Sequence, residues 1–530
     1  MDADLKSVQE ARELVVRSRA AMLRYRFFTQ DKVDHIVAEM ARAGEGASGE
    51  LGRQAYEETG FGRPESKKAK NLFSTRTLLE RMRGMRTAGI ISEIEGGTIW
   101  EVAVPMGVVA ALIPSTNPTS TAMYKAIIAA KARCGIVMSP HPRAVKCTCA
   151  ALQTVAEGAY AAGAPQGLFG CMQEISLAGT NQLLEHEHTD VILATGGTAM
   201  VKAAYSKGKP AYGVGSGNVP VYVDRSADVP KAAADLVYGA SFDWGTLCSS
   251  ERSIVADVPI RSRLIEELKK QGAYVVNERE REQLSAIILS KGRLNVDQVG
   301  KSPSHIAGLA GFTVPGDTRA LVAEVTEVGR AEPLSMETLS PILSFYTADG
   351  WEQGCERCIE ILSFGGIGHT LGIHCTNDRV IRAFALEKPA MRIVVNTVAA
   401  LGSVGYTNRL FPSMTLGPGT LGGSITSDNI SPMHLINIKR LAFETDPINP
   451  PSGKSPVERT KESTGPATSG PSRSWMAEVE SRLRERAGNP KHVRGGPGAP
   501  RTDGHGNGEA APGYSVSDER IDELIRRYRR

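Results

Sequence analysis

Apolar positions follow regular rhythms from the amino terminus to about residue 446 and lose them afterwards. The opening stretch carries helical spacing and predicts helices over 4–27, 30–43 and 66–87. The segment IISEIEGGTIWEVAVP then alternates in twos about Gly96-Gly97, the pattern of a β-hairpin. Short, almost wholly apolar runs come next: GVVAALIP at 107–114, GIVMSP at 135–140 and DVILATGG at 190–197. Each leads into a helical pattern, at PTSTAMYKAIIAAKARC, 142–162 and 198–207 respectively. A strand that is apolar on both faces must be covered on both faces, so these runs predict a parallel sheet between helices. A second set follows: VPVYV, helix 229–241, RSIVAD and helix 260–271. Beyond an irregular stretch come PILSFYT, helix 351–363, HTLGIHCT, helix 377–386 and MRIVVN.

Composition changes the picture after that body. Residues 447–513 are rich in Pro, Gly, Ser, Lys and Arg. They offer too little apolar surface to offset chain entropy and read as a flexible linker. Within it, Trp475, Val479 and Leu483 share one face of a candidate helix at 474–487. In the final segment, 514–530, Ile521, Leu524, Ile525 and Tyr528 fall at i, i+3, i+4 and i+7. Ser515 and Asp518 have capping-box spacing, and Arg526, Arg527, Arg529 and Arg530 close the segment where the helix dipole favours cations. So short a helix on a tether needs a partner surface to persist. A partner protein and return packing on the chain's own body are the readings; a membrane surface ranks low, because the stripe is narrow and the polar face mixes charges.

The 530 residues are 41% hydrophobic and 23% charged, with a net charge of +4, which is no electrostatic footprint for nucleic acid. No apolar run is long enough to span a bilayer. The opening MDADLKSVQEARELVV lacks the basic and apolar regions of a secretory leader, so a cytoplasmic protein with reduced thiols is expected. Of eight cysteines, Cys147 and Cys149, and Cys355 and Cys358, lie in segments of helical period with no histidine cluster nearby. They read as buried or half-buried structural thiols, and no metal site is expected.

Three places carry candidate chemistry. Cys248, in SFDWGTLCSSERSIVAD, follows a Gly-Thr-Leu turn and precedes a strand. A cysteine packs well as a small hydrophobe, but these small polar neighbours suggest an exposed thiol on a constrained loop. Thr195, Gly196 and Gly197 lie between a strand and a helix, where open N–H groups suit phosphate. The G-x-G-x-x-G spacing is absent, so a bare strand-to-helix turn is an equal reading. Asn117 follows a strand and precedes Pro118. It is either an oxyanion donor at the carboxyl end of the sheet or a helix cap.

Cys248 and Asn117 stand in order with SPHPRA, TGGTAMVKAAYSKGKPAYGVGSGNVPVYVD, METLSPIL, GGIGHT and TLGPGTLGGSITSDNISPMHLINIKRLAF. This constellation resembles the CoA-acylating aldehyde dehydrogenases over about residues 8–446. It looks most like the aldehyde dehydrogenase half of bifunctional aldehyde-alcohol dehydrogenases and the acylating enzymes of bacterial microcompartments. No iron-dependent alcohol dehydrogenase half follows, so a single activity is expected.

The resemblance implies an α/β fold of aldehyde dehydrogenase type. A Rossmann-like dinucleotide-binding domain would cover 1–225, with an arm hairpin at about 90–105, and a catalytic domain 226–415. A return segment with an oligomerisation strand would cover 416–446. By the same resemblance Cys248 is the nucleophile, and Asn117 with the Cys248 backbone N–H holds the oxyanion. Glu337 binds the nicotinamide ribose; an exposed loop carboxylate is the plain alternative. Pro114, Ser115, Thr195, Gly196, Gly197 and Gly215 line the NAD site. His141 and Pro142 stand where hydrolytic relatives place a lysine on the adenosine ribose, and Arg143 follows them, which leaves NAD and NADP both open. Val214 stands where those relatives carry the glutamate that activates water. Valine accepts no proton, and base assistance is worth ~10²–10⁴-fold. A thioester on Cys248 is therefore expected to wait for coenzyme A, in ping-pong order. His369 either assists CoA or is a satisfied histidine at a strand start. The resemblance further implies a short aldehyde such as propionaldehyde or acetaldehyde, and a dimer or tetramer through the arm. It also implies residence in a microcompartment lumen, with the terminal helix binding shell or cargo proteins. A hydrolytic aldehyde dehydrogenase and an inactive assembly protein are the alternatives.

Overall fold

The computed structural model describes residues 2–449. The linker from 450 onward, the candidate helix at 474–487 and the terminal helix at 514–530 lie outside the described residues.

The amino-terminal segment folds into helices Ala3–Tyr25, Gln30–Gly46, Ser48–Thr59 and Pro64–Leu72. Ser48–Thr59 was not legible in the sequence, because its glycines and charges blur the periodicity. The helix expected over 66–87 begins at Pro64, whose fixed φ and missing N–H suit a first helical position. It passes through a π-helical turn at Phe73–Thr77, continues over Leu78–Met82 and stops before Gly84, whose φ is +74°.

The hairpin follows as β1 (Gly89–Ile94) and β2 (Ile99–Pro105), turning through Glu95–Gly97 with positive φ at all three residues. Then come β3 (Val108–Ile113), β4 (Gly135–Pro140), β5 (Phe169–Cys171), β6 (Val191–Thr195) and β7 (Ala211–Val214). All pair in parallel, in the order β5-β4-β3-β6-β7. The chain starts this sheet at β3, winds outward to β5, then returns to the other side of β3. The β3/β6 boundary is thus a topological switch point, where helices leave in opposite directions and a crevice opens beyond the strand ends. Helix Pro118–Lys131, which leaves β3, is buried along its whole length. Its Lys125 Nζ donates to the carbonyls of Leu112 and Leu193, each at 2.9 Å, and so ties β3 to β6 at that boundary.

The second sheet is built from β8 (Val219–Val223), β9 (Glu251–Asp257) and β10 (Ala273–Val275) with four later strands. A two-residue hairpin, β11 (Leu289–Ser290) and β12 (Arg293–Leu294), stands apart. The later strands are β13 (Ala320–Glu324), β14 (Ile342–Ala348), β15 (Leu371–His374) and β16 (Ile393–Val395). The order is β10-β13-β14-β9-β8-β15-β16, again all parallel. β17 (Ile436–Ala442) returns to pair antiparallel with β2, which completes a three-stranded arm, β1-β2-β17.

One sequence expectation needs correction. Cys149 is not a free thiol: it is bonded to Cys171 at the end of β5, with 5.6 Å between the Cα atoms. Cys147 is two residues away on helix Val145–Ala161 and faces another side, buried near Ala55 and Ala144. Cys355 and Cys358 are buried in the second core, as expected.

Candidate active site

Loops leaving the carboxyl ends of β3, β4 and β6 face loops entering the amino ends of β9 and β14, and a cavity of about 240 Å³ lies between them.

From the first sheet, β3 delivers Pro114, Ser115 and Asn117, β4 delivers His141, and β6 delivers Thr195, Gly196 and Gly197; all seven line the cavity. Asn117 occupies the cap position of helix Pro118–Lys131, yet its side chain does not cap the helix. Its Nδ2 donates to Thr116 Oγ1 at 3.0 Å and the Thr246 carbonyl at 3.3 Å, and its Oδ1 accepts from Lys70 Nζ. The amide is therefore turned away from the helix and towards the loop that bears Cys248. Val214 and Gly215, at the end of β7, line the same cavity, and Val214 is buried.

From the second sheet come Cys248, ahead of β9, and Glu337, ahead of β14. The loop before Cys248 has an unusual backbone. Asp243, Trp244 and Gly245 have φ of +50°, +49° and +71° in succession. Two non-glycine residues in this region cost about 1–3 kcal/mol each and persist only where the surroundings over-determine them. They do here. The Asp243 carboxylate accepts from Thr246 Oγ1 (2.6 Å) and from the Arg63 N–H (2.7 Å), and pairs with Lys67 and Lys70. The Arg63 guanidinium lies 4.5 Å over the Trp244 ring. Arg252, itself buried, donates to the carbonyls of Gly245, Leu247 and Ser340. A side chain at Gly245 would meet the Ser340 carbonyl, so only glycine fits.

Cys248 is half-buried. Burial, then the nearby Glu337 carboxylate, push its thiol up to about 12, against the lowering pull of Arg392 and Arg252. Burial also raises Glu337 to about 7, while Arg252 and the N–H of Gly217, at 3.0 Å, favour its charged form. The free thiol is thus protected at neutral pH. Its alkylation by iodoacetamide should rise about tenfold per pH unit through pH 9, with no plateau. Glu337→Gln removes the anion that disfavours the thiolate, so alkylation at pH 8 should quicken severalfold. An unchanged rate would show that the carboxylate does not reach the sulfur electrostatically.

His369 and Pro142 are not in the cavity wall. His369 is buried behind the site: its Nδ1 pairs with Thr370 Oγ1 at 2.9 Å and its backbone carbonyl accepts from Arg392. Burial and Arg392 push it down to about 3, so the imidazole stays neutral and takes up a proton poorly. Pro142 opens a short 3₁₀ turn behind His141, and Arg143 is exposed. Sequence reasoning missed Arg63, Lys67, Lys70, Asp243 and Arg252, which hold the Cys248 loop.

The groups present fit a dinucleotide. The space where a side chain at Gly197 would stand is open, at the amino end of helix Thr198–Tyr205, where N–H groups and the helix dipole favour phosphate. Glu337 offers a carboxylate suited to ribose hydroxyls. A second, mostly apolar cavity of about 60 Å³ continues past Leu247, Val404 and Met414, walled by Phe73, Tyr238, Phe242, Tyr406 and Lys70. Among the described residues no group of His, Cys, Asp and Glu could hold a metal, and no helix is long and apolar enough to cross a membrane.

Residues 2–299 match the family model described as the aldehyde dehydrogenase family. The chain is 40% identical over 442 residues to the bifunctional aldehyde-alcohol dehydrogenase of Escherichia coli. That match covers 82% of this chain and 50% of the relative, so the chain spans about half that relative's length. Among solved structures, an acetylating aldehyde dehydrogenase from Geobacillus thermoglucosidasius superposes with a TM-score of 0.83 and 48% identity, over 84% of this chain and 99% of that one. A propionaldehyde dehydrogenase from Rhodopseudomonas palustris, solved with bound CoA and an acylated cysteine, superposes with a TM-score of 0.74 and 27% identity, over 82% of this chain and 97% of that one.

Proposed function

The chain belongs to the aldehyde dehydrogenase family, and from that premise we propose that it oxidises a short-chain aldehyde, such as propionaldehyde or acetaldehyde, to its CoA thioester, with NAD or NADP accepting the hydride. Cys248 loses its proton to solvent, and its sulfur attacks the aldehyde carbonyl carbon. The displaced electron pair rests on the oxygen, between the Asn117 amide and the Cys248 N–H. Loss of hydride re-forms the carbonyl as a thioester on Cys248. The CoA thiolate then attacks that carbonyl and expels the Cys248 thiolate, which regains a proton. His369 is given no step here: it lies outside the cavity wall, and burial leaves its imidazole a weak base. The second cavity is mostly apolar, with the Lys70 ammonium at its wall paired to Asp243, and accommodates a short hydrocarbon tail.

A single observation carries the acyl-transfer reading. Among the residues lining the main cavity, Glu337 is the sole carboxylate, and the wall at β7 is the buried, aliphatic Val214. Val214 cannot take a proton from water as it attacks, and the Glu337 carboxylate is already engaged by the Gly217 N–H, whereas a thiol of pKa roughly 8–9 supplies its own anion. Purified protein given propionaldehyde and NAD should release about one equivalent of NADH per Cys248 and then nearly stop, resuming on addition of CoA. Sustained turnover to propionate without CoA would favour the hydrolytic alternative.

The microcompartment reading rests on the resemblance to microcompartment enzymes and on the apolar stripes of 474–487 and 514–530. Truncation after residue 446 should leave activity intact while abolishing co-sedimentation with shell proteins; loss of soluble protein would favour return packing.

A further inference from the structure

Helix Pro64–Leu72 presents a polar, basic sequence, yet two of its lysines point inward. Lys67 and Lys70 are 1% and 4% exposed, and both approach Asp243, which is fully buried. Burying a lysine costs several kcal/mol unless its partners are close and well aligned. One carboxylate needs one lysine; two leave a surplus positive charge in a desolvated place. That place adjoins the Cys248 loop and Asn117. Lys67 Nζ donates to the Thr116 carbonyl at 3.1 Å, and Lys70 Nζ reaches Asn117 Oδ1, Asp243 and, at 3.4 Å, Thr246 Oγ1.

The chemistry of the amide gives this contact its meaning. Asn117 can present either its oxygen or its nitrogen to a ligand beside Cys248, and the two choices differ by a half-turn of the side chain. A cation on Oδ1 fixes that choice, because the reversed amide would set its NH₂ against an ammonium. A charge-assisted bond to Oδ1 also polarises the amide and strengthens its N–H as a donor. Asp243 links the same ammonium to the loop whose backbone N–H is the other donor. We propose that Lys70 is the positioning residue of the oxyanion pocket: it orients the Asn117 amide and, through Asp243, sets its distance from the Cys248 loop. This rests on the reading of Cys248 as nucleophile and Asn117 as oxyanion donor. Burial lowers Lys70 to about 8 while Asp243 raises it, so the ammonium form predominates at neutral pH.

The test is a double-mutant cycle in the full-length chain, with rates expressed per reactive Cys248 thiol. Lys70→Met should lower kcat for acyl-CoA formation roughly 10–100-fold and leave the aldehyde KM within about threefold, since the lost interaction is made in the transition state. Asn117→Ala should lower kcat about 10²–10³-fold. The pair together should be no slower than Asn117→Ala by more than about twofold, because Lys70 acts through that amide. Multiplicative losses, or a Lys70→Met kcat within twofold of wild type, overturn the proposal. If Lys70→Met does not fold, Lys70→Gln carries the same cycle, and its neutral donor should recover part of kcat. An active Cys248→Ala variant would instead remove the underlying reading. An inactive Cys248→Ala and a slow Asn117→Ala beside an unaffected Lys70→Met would remove this inference alone.

Discussion

Cys248→Ala should reduce acyl-CoA formation by at least about 10⁴-fold, the scale of losing a covalent nucleophile. No other thiol can substitute. Among the described residues the remaining free cysteines, Cys134, Cys147, Cys355, Cys358 and Cys375, are all buried, and none lines the cavity. The sulfur itself is replaceable without structural damage, because it is half-buried and holds no strained backbone in place; Asp243 and Arg252 do that work upstream. The thermal midpoint should therefore stay within a few degrees of wild type, which separates lost chemistry from lost folding. Acid-quenched wild type, mixed with aldehyde and NAD but no CoA, should carry one added acyl mass on the peptide containing Cys248. A variant with wild-type turnover, or an acyl mass on another peptide, would remove the nucleophile from this loop.

Val214→Glu should divert the product. A carboxylate at the end of β7 would face the same cavity as Cys248, and a general base there accelerates attack by water ~10²–10⁴-fold. Free acid should then form without CoA, at a rate rising as the new carboxyl ionises. Burial raises the pKa of a carboxyl, as it does for Glu337 in the same cavity. The gain should therefore appear mainly above neutral pH and fade as pH falls and the carboxyl is protonated. Folding should tolerate the change less well than Cys248→Ala, since Val214 belongs to the first core. If a folded variant released no more acid than wild type, the missing base would not be what preserves the thioester.

The parts of this fold that were legible in the sequence share a physical cause. β3, β4 and β6 are buried on both faces, so their uninterrupted apolar runs stood out. The edge strands β5 and β10 are three residues each, too short for any period to show. The stretch read as irregular holds helices Glu278–Ile288 and Pro303–Ala310, and also β13. The apolar positions there are few and their neighbours heavily charged. At the site, Cys248, Asn117 and the Thr195–Gly197 turn were conspicuous because small and polar residues sat between apolar strands. Lys67 and Lys70 were not. ESKKAKN has the look of a solvated helix face, and what buries two of its lysines is a contact with residues 170 or more positions away. The one local sign was Lys67, Lys70 and Asn71 sharing a face, while Lys68 is exposed.

The Lys70 bridge joins a residue that follows β3 to one that precedes β9, and therefore spans both halves of the molecule. A hinge that opened the halves would tear a desolvated cation from its anion at each cycle. Under the proposed function, that bridge keeps the spacing of Asn117 and the Cys248 loop the same from one turnover to the next.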